Sequence, residues 1–238
     1  NVYVIPKISD IVIRSASDIT YFDSPIMKCN ANGLTIEQRA VKRIIDVVCS
    51  LLALIVLSPV FLVVSLAIKL YDRGPVFYKQ LRCSKDLKPF YILKFRSMVV
   101  DAEKNGPQPA VDNDSRITPV GKIIRALRID ELPQIINILK GEMSIVGPRP
   151  ERIEHVEKYS KDIPEFVCRY KVKGGLTGYA QVFGKYNTSA YNKLKMDLIY
   201  IQNYSLALDF KLILMTVKIL FQKESTEGFK TDRKKVDK

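Results

Sequence analysis

The longest apolar run in the chain extends from Ile44 to Leu70, I-I-D-V-V-C-S-L-L-A-L-I-V-L-S-P-V-F-L-V-V-S-L-A-I-K-L. By length alone it predicts a transmembrane helix. Two features argue against a simple span. Ser58-Pro59 divides the run, and at about 1.5 Å per residue each part reaches only about half to two-thirds of a ~30 Å hydrocarbon core. Both flanks are also basic, with Arg39, Lys42 and Arg43 before and Lys69, Arg73, Lys79 and Arg82 after. Positive residues favour the cytoplasmic side, so charge at both ends favours a hairpin returning to its own face. Pro59 removes a backbone donor and crowds the carbonyl four residues earlier, which Ser58 can rebond. Two readings stand: a kinked spanning helix, and a helix-break-helix over 39–72.

The period changes after Gly74. V-F-Y-K-Q-L-R and F-Y-I-L-K-F-R, separated by C-S-K-D-L-K-P, predict a short β-hairpin. Arg96 at its end reads equally as a surface charge and as a phosphate contact. Residues 101–120, rich in Pro, Gly, Asn and Asp, predict a mobile loop able to close over a substrate. Helical patterns resume at about Val120 and over Arg152–Tyr170, and Gly174, Gly175 and Gly178 predict a flexible turn before Gln181. Helices are expected over Ala190–Asn203 and Asp209–Gln222. In the second, Lys211 and Lys218 fall on one face, as an interfacial helix or a core helix with two exposed lysines would have them. Residues 223–238 form a charged tail expected to be flexible. Residues 1–38 lack a starting Met and a signal peptide. They read as a remnant or linker, with N-V-Y-V-I-P strand-like.

Between the middle helices lies R-A-L-R-I-D-E-L-P-Q-I-I-N-I-L-K-G-E-M-S-I-V-G-P-R-P-E, Arg125 to Glu151. Asp130 and Glu131 precede Pro133, which is tolerated in a first helical turn. Ile135, Ile136, Ile138 and Leu139 favour one helix face, and Gly141 is a plausible stop. The acidic pair therefore lies at or just before a helix N-terminus, with Arg125 and Arg128 upstream. Such a terminus suits anions, and a phosphate can share it if a cation bridges the like charges. An acidic cap beside surface arginines is the plainer reading. Arg149, fixed between Pro148 and Pro150 on a stiff loop, is suited to bidentate phosphate contacts.

The ordered strings K-F-R-S-M (94–98), D-S-R-I-T-P-V-G (114–121), D-E-L-P-Q…N…G-E-M-S-I-V-G-P-R-P-E, G-L-T-G-Y-A-Q-V (175–182) and D-L-I-Y-I-Q-N-Y-S-L (197–206) resemble the bacterial sugar transferases. These monotopic enzymes load a sugar-1-phosphate from a UDP-sugar onto polyprenyl (undecaprenyl) phosphate. The resemblance covers roughly residues 40 to 222. It implies that the 39–72 segment is re-entrant, with Ser58-Pro59 at the break, and that residues 73–222 form the catalytic domain. It also implies that Asp130 is the nucleophile forming an aspartyl-phosphosugar and that Glu131, with Asp130, holds Mg²⁺. Arg125 matches a phosphate-holding arginine, Arg149 the nucleotide end, and Arg96 and Gln181 further substrate contacts. The family commonly has proline at the position of Gly174. Larger members carry transmembrane helices and a nucleotide-binding-like domain ahead of this region, so the chain resembles a fragment. The implied location is the cytoplasmic face of the inner membrane, and the implied process is the first membrane step of capsule, exopolysaccharide or O-antigen synthesis.

Composition agrees without deciding the matter. A net charge of +13 over 238 residues suits nucleic acid, a membrane surface or phosphorylated substrates, but no RNA-binding signature is present. The four cysteines lack C-x-x-C spacing and read as reduced thiols. The single histidine, His155, excludes multi-histidine metal sites within the chain and falls on a polar helix face. Acid, base and nucleophile duties fall mainly to carboxylates. A glycosidase would need carboxylates ~5 to 10 Å apart across one bond, which adjacent residues do not easily provide. A basic membrane-associated scaffold or nucleic-acid binder predicts salt-sensitive binding without turnover. The expected fold is α+β and predominantly helical, combining the re-entrant membrane hairpin, amphipathic interfacial helices and a small β-hairpin. Expected partners are a UDP-sugar, polyprenyl phosphate and membrane lipid, with no nucleic acid; a homo-oligomer stays open.

Overall fold

The computed structural model describes residues 7–14, 16–21, 24–29, 34–104, 106, 114–185 and 188–220, with the backbone alone over 12–14, 16–21, 24–29 and at 220. The strand expected at residues 1–6, the tail at 223–238 and most of the 105–113 loop lie outside the described residues. The architecture is mostly helical, with three two-stranded sheets among the described residues.

The apolar run forms one helix. After α1 (Ile8–Arg14) and an antiparallel hairpin of β1 (Ala16–Tyr21) and β2 (Ser24–Cys29), α2 spans Ile36–Asp72 without interruption. Thr35 and Gln38 close a reciprocal capping box at its start, satisfying two donors that have no intrahelical partner. It ends at Arg73 in the left-handed region, φ 56°. The expected break at Ser58-Pro59 does not divide it: Pro59 lies inside the helix. The physical reason is local. Proline displaces the carbonyl four residues back, and the Ser58 hydroxyl donates to that carbonyl, Ile55 O, at 2.8 Å. The helix is long and apolar enough to cross a membrane by length and composition.

One face of α2 lies against the rest of the protein. Lys42, Asp46 and Ser50, then Val64 and Ile68, are buried at helical spacing. Arg43 donates to Ile138 O and Leu139 O at 2.5 and 2.7 Å, and Lys42 pairs with Asp209. Asp46 accepts from the Ser144 hydroxyl (3.1 Å) and the Ile145 amide (2.9 Å). Further along, Val64 and Ile68 pack with Phe95 and Ile124, and Asp72 pairs with Arg96. The opposite face is apolar and open: Ile55, Val56, Leu62 and Leu70 are each 70–74 % exposed. Both halves of α2 are thus fastened to one body.

The expected hairpin is present as β3 (Phe77–Cys83) and β4 (Pro89–Phe95), antiparallel from Phe77↔Phe95 to Cys83↔Pro89. Phe90 and Ile92 point inward to join Ile138 and Met143 in a small core. α3 (Pro119–Ala126) begins at Thr118, whose hydroxyl accepts from the Gly121 amide at 2.9 Å. Next come α4 (Gln134–Lys140), stopped by Gly141 at φ 85°, and β5 (Met143–Val146). The glycines at 174–178 are not a flexible turn. Gly174–Thr177 is strand β6, parallel to β5 with Met143↔Gly174 in register. The two chains approach so closely that a Cβ on Gly175 would stand 2.1 Å from the Gly147 nitrogen, so glycine serves contact here.

Around this pair stand α5 (Ile153–Asp162), a 3-10 segment (Pro164–Lys171), α6 (Tyr179–Phe183), α7 (Ala190–Gln202) and α8 (Leu206–Leu220). Their inner faces make the main core, including Val146, Phe166, Leu194, Tyr200 and Leu212. Ile8 and Ile11 of α1 and Leu34 join it, so residues ahead of α2 contribute to packing. Helix α8 leaves Phe210, Lys211, Leu214, Val217 and Lys218 exposed along one side.

Candidate active site

Three segments bring their polar groups to one place. After α3 the chain turns at Arg128, held in the left-handed region at φ 58°, into a single 3-10 turn, Ile129–Glu131. The acidic pair sits in that turn, just ahead of buried Pro133 and α4, as expected. Lys94 comes from the inward face of β4. Arg149 comes from the loop after β5.

Glu131 is the meeting point. Its Oε1 accepts from Lys94 Nζ at 2.7 Å and from Arg149 Nη2 at 2.7 Å, and Arg149 Nη1 reaches Oε2 at 3.5 Å. Burial works to raise its pKa, but the two cations and their hydrogen bonds outweigh it and hold the carboxyl well below the usual range. Asp130, next in sequence, differs. Among the described residues its carboxylate has no hydrogen bond or ion pair. Burial raises its pKa, and the Glu131 charge adds to this, while Lys94, Arg125 and Arg128 pull the other way. One carboxylate is locked between cations and its neighbour is left with free lone pairs.

The loop carrying Arg149 is clamped at four successive carbonyls. Pro148 O accepts from the Gly175 amide (2.8 Å), Arg149 O from Arg169 Nη2 (2.9 Å), Pro150 O from Arg82 Nη1 (2.9 Å) and Glu151 O from the Cys83 amide (3.0 Å). Arg169 is itself buried, 2.8 Å from Asp197 on α7 and 3.7 Å from Glu151. Arg82 is fixed by Gln80 Oε1. Burial, reinforced by Arg149 nearby, lowers its pKa to about 10. With Lys94, Gln134 and Arg149 it lines a small pocket beside the acidic pair. Gln134 is 1 % exposed, and its Nε2 has no partner among the described residues.

The sequence-predicted residues divide accordingly. Asp130, Glu131 and Arg149 come together, and Arg125, in the last turn of α3, bears on Asp130 through its charge. Arg96 does not join them: its guanidinium is buried against Asp72 and packs over Gly74, where a Cβ would meet Nη1 at 2.1 Å. Gln181 also stands apart, in α6, donating to Leu176 O at 3.0 Å. Ser58 and Pro59 lie within α2, as described. Sequence reasoning missed Lys94, Arg82 and Gln134 as site residues. Lys94 had a readable signal, since it continues the inward series Phe90, Ile92 along β4. No group of three His, Cys, Asp or Glu able to hold a metal occurs among the described residues.

The chain belongs to the bacterial sugar transferase family, whose sequence model matches residues 37–223. It is 41% identical over 210 residues to a UDP-glucose:undecaprenyl-phosphate glucose-1-phosphate transferase of Klebsiella pneumoniae, covering 86% of this chain and 43% of the relative. It is 42% identical over 183 residues to a UDP-N-acetylgalactosamine-undecaprenyl-phosphate N-acetylgalactosaminephosphotransferase of Aeromonas hydrophila, covering 76% and 43%. A UDP-glucose:undecaprenyl-phosphate glucose-1-phosphate transferase of Caulobacter vibrioides is 43% identical over 186 residues, covering 75% and 69%. The matched region spans less than half the length of the first two relatives.

Proposed function

We propose that this protein transfers a sugar-1-phosphate from a UDP-sugar to undecaprenyl phosphate, releasing UMP. The observation that carries the reading is the asymmetry of the acidic pair, a carboxylate without a partner among the described residues beside one held by Lys94 and Arg149. A carboxylate without hydrogen-bond donors keeps its lone pairs for attack, and aspartyl phosphates are competent donors. An Asp130 carboxylate oxygen attacks the sugar-linked phosphorus. The bond from that phosphorus to the bridging oxygen breaks, and UMP departs with the electron pair. An oxygen of the lipid phosphate then attacks the same phosphorus and expels Asp130 as a carboxylate. Arg149 and Lys94 hold Glu131 and offer positive charge to the donor phosphates; Arg125 supports Asp130 from α3.

The residues fit Mg²⁺, which takes one or two carboxylates with the remaining positions filled by water and substrate phosphate. Asp130 has free oxygens, and Glu131 Oε2 is held only at 3.5 Å. The ion would neutralise charge on the transferring phosphate.

We place the protein on the cytoplasmic face of the inner membrane with α2 re-entrant, bending at Pro59 while its helical run continues. Support comes from the seam along α2. Between buried Ser50 and buried Val64 lies about 21 Å of helix, short of a ~30 Å core. A spanning helix would draw the attached domain into the hydrocarbon. The exposed Phe210, Leu214 and Val217 of α8, flanked by Lys211 and Lys218, suit the same interface.

The deciding experiment incubates the purified protein with undecaprenyl phosphate, Mg²⁺ and a panel of UDP-sugars. UMP release with one or two donors, stopped by EDTA, is the expected outcome. With donor alone, intact-mass spectra under conditions that preserve acyl phosphates should show a phosphosugar adduct on the 130–131 peptide. Turnover without that adduct overturns the covalent route; no UMP with any donor overturns the function.

A further inference from the structure

At the other end of α4 from the acidic pair lies a cavity of about 220 Å³. Arg39, Lys42, Arg43, Lys85, Lys171 and Lys173 line it, against a single lining carboxylate, Asp46. Asp46 is already engaged by Ser144 and the Ile145 amide, and Lys42 is paired with Asp209. Among the described residues the ammonium groups of Lys171 and Lys173 have neither a hydrogen bond nor an ion pair. Arg43 Nη2 and Lys173 Nζ each stand 3.5 Å from the same point above Gly141, so the two cations are within about 7 Å of each other. Burial, with Arg43 and then Lys85 adding to it and Asp46 opposing, lowers the Lys173 pKa, so like charge outweighs the one carboxylate there.

Two further facts define the anion that suits this lining. Three of the cations belong to the first turns of α2, where its apolar face begins to open at Val41 and Ile44. The cavity therefore lies where this helix meets the polar edge of a membrane, and basic pockets at that depth hold anionic headgroups. Its volume is below the ~300 Å³ at which pockets for whole drug-sized ligands begin, while Leu34, Val146, Val172 and Tyr200 add an apolar wall. We propose that this cavity binds the phosphate headgroup of an anionic phospholipid, at a site separate from the carboxylate cleft. The shared chemistry is a phosphate oxyanion, which a free phosphate also offers, so the test distinguishes them. The assignment rests on the membrane placement of α2 and not on the reaction at Asp130.

The test is native mass spectrometry of the full chain released from detergent micelles, titrated with dihexanoyl phosphatidylglycerol, dihexanoyl phosphatidylcholine or inorganic phosphate. One saturable phosphatidylglycerol adduct per chain is expected, with no comparable adduct from the other two. In Lys171→Gln/Lys173→Gln that adduct should need about thirtyfold more lipid. If circular dichroism shows this pair unfolded, Arg39→Gln provides the same reading with a loss of roughly fivefold. Equal adducts from phosphatidylcholine, equally tight inorganic phosphate, or a variant that binds like the parent would overturn the proposal. UMP release by the folded variant in micelles free of anionic lipid should match the parent. A loss of about tenfold or more would overturn the separation from the cleft while leaving the proposed reaction intact.

Discussion

Two buried ion clusters stand on either side of the Arg149 loop, and they differ in what is left over. On the core side, Arg169 is enclosed between Asp197 and Glu151, with its guanidinium also over the Phe166 ring at 4.9 Å. Every charge there faces an opposite charge. On the cleft side, Glu131 satisfies Lys94 and Arg149, and Asp130 beside it is satisfied by nothing among the described residues. Coulombic closure makes a scaffold, whereas a residual charge makes a reagent. The same loop serves both, since Arg169 holds its backbone and Arg149 projects from it.

The largest effect expected from breaking this contrast is on turnover. Asp130→Asn should lower UMP release on the order of 10⁴-fold or more and leave the fold intact. Its melting temperature should equal or exceed the parent's at neutral pH. Because the folded-state pKa of Asp130 is raised, ionisation costs more in the folded chain than in the unfolded one. That cost is present above the folded pKa, and the amide removes it.

On the core side the order reverses. Asp197→Ala leaves the buried Arg169 guanidinium with Glu151 at 3.7 Å as its remaining carboxylate and should cost about 3 kcal/mol, read as a lower urea midpoint. A smaller effect sharpens the cleft side. Lys94→Met removes one of the two cations on Glu131, so the carboxyl pKa should rise and the acid limb of the kcat/KM profile should move to higher pH. The sign for stability follows from the depressed pKa. Glu131 contributes stability above the unfolded carboxylate pKa and loses it as pH falls through the folded value. The variant should therefore unfold at a higher pH on acid titration followed by circular dichroism. Least affected should be His155→Ala, on the half-exposed face of α5, within about ±0.5 kcal/mol of the parent by thermal melting.

What could be read from the sequence was local. The β3–β4 hairpin, the stop at Gly141, the acidic turn before Pro133 and the stiff prolines around Arg149 all depend on a few adjacent residues. The β5–β6 pairing joins Met143 to Gly174 across intervening helix, and no short-range signal distinguishes such glycines from a flexible turn. The pairing of Arg96 was not legible for a similar reason. Its partner Asp72 ends a helix that begins far upstream. Lys94 was legible in the inward alternation of β4, yet a lysine in a strand ordinarily reads as a solvent-facing charge. At Ser58-Pro59 proline carried a stronger expectation of interruption than the serine hydroxyl allowed.

With all four carbonyls from Pro148 to Glu151 already engaged, that wall of the cleft has no slack for a bulkier guest. On the proposed transfer, donor preference would fall to β3 and β4 across the cleft, which carry Arg82 and Lys94. Swapping those stretches between relatives should exchange sugar choice while leaving the anchoring arginine untouched.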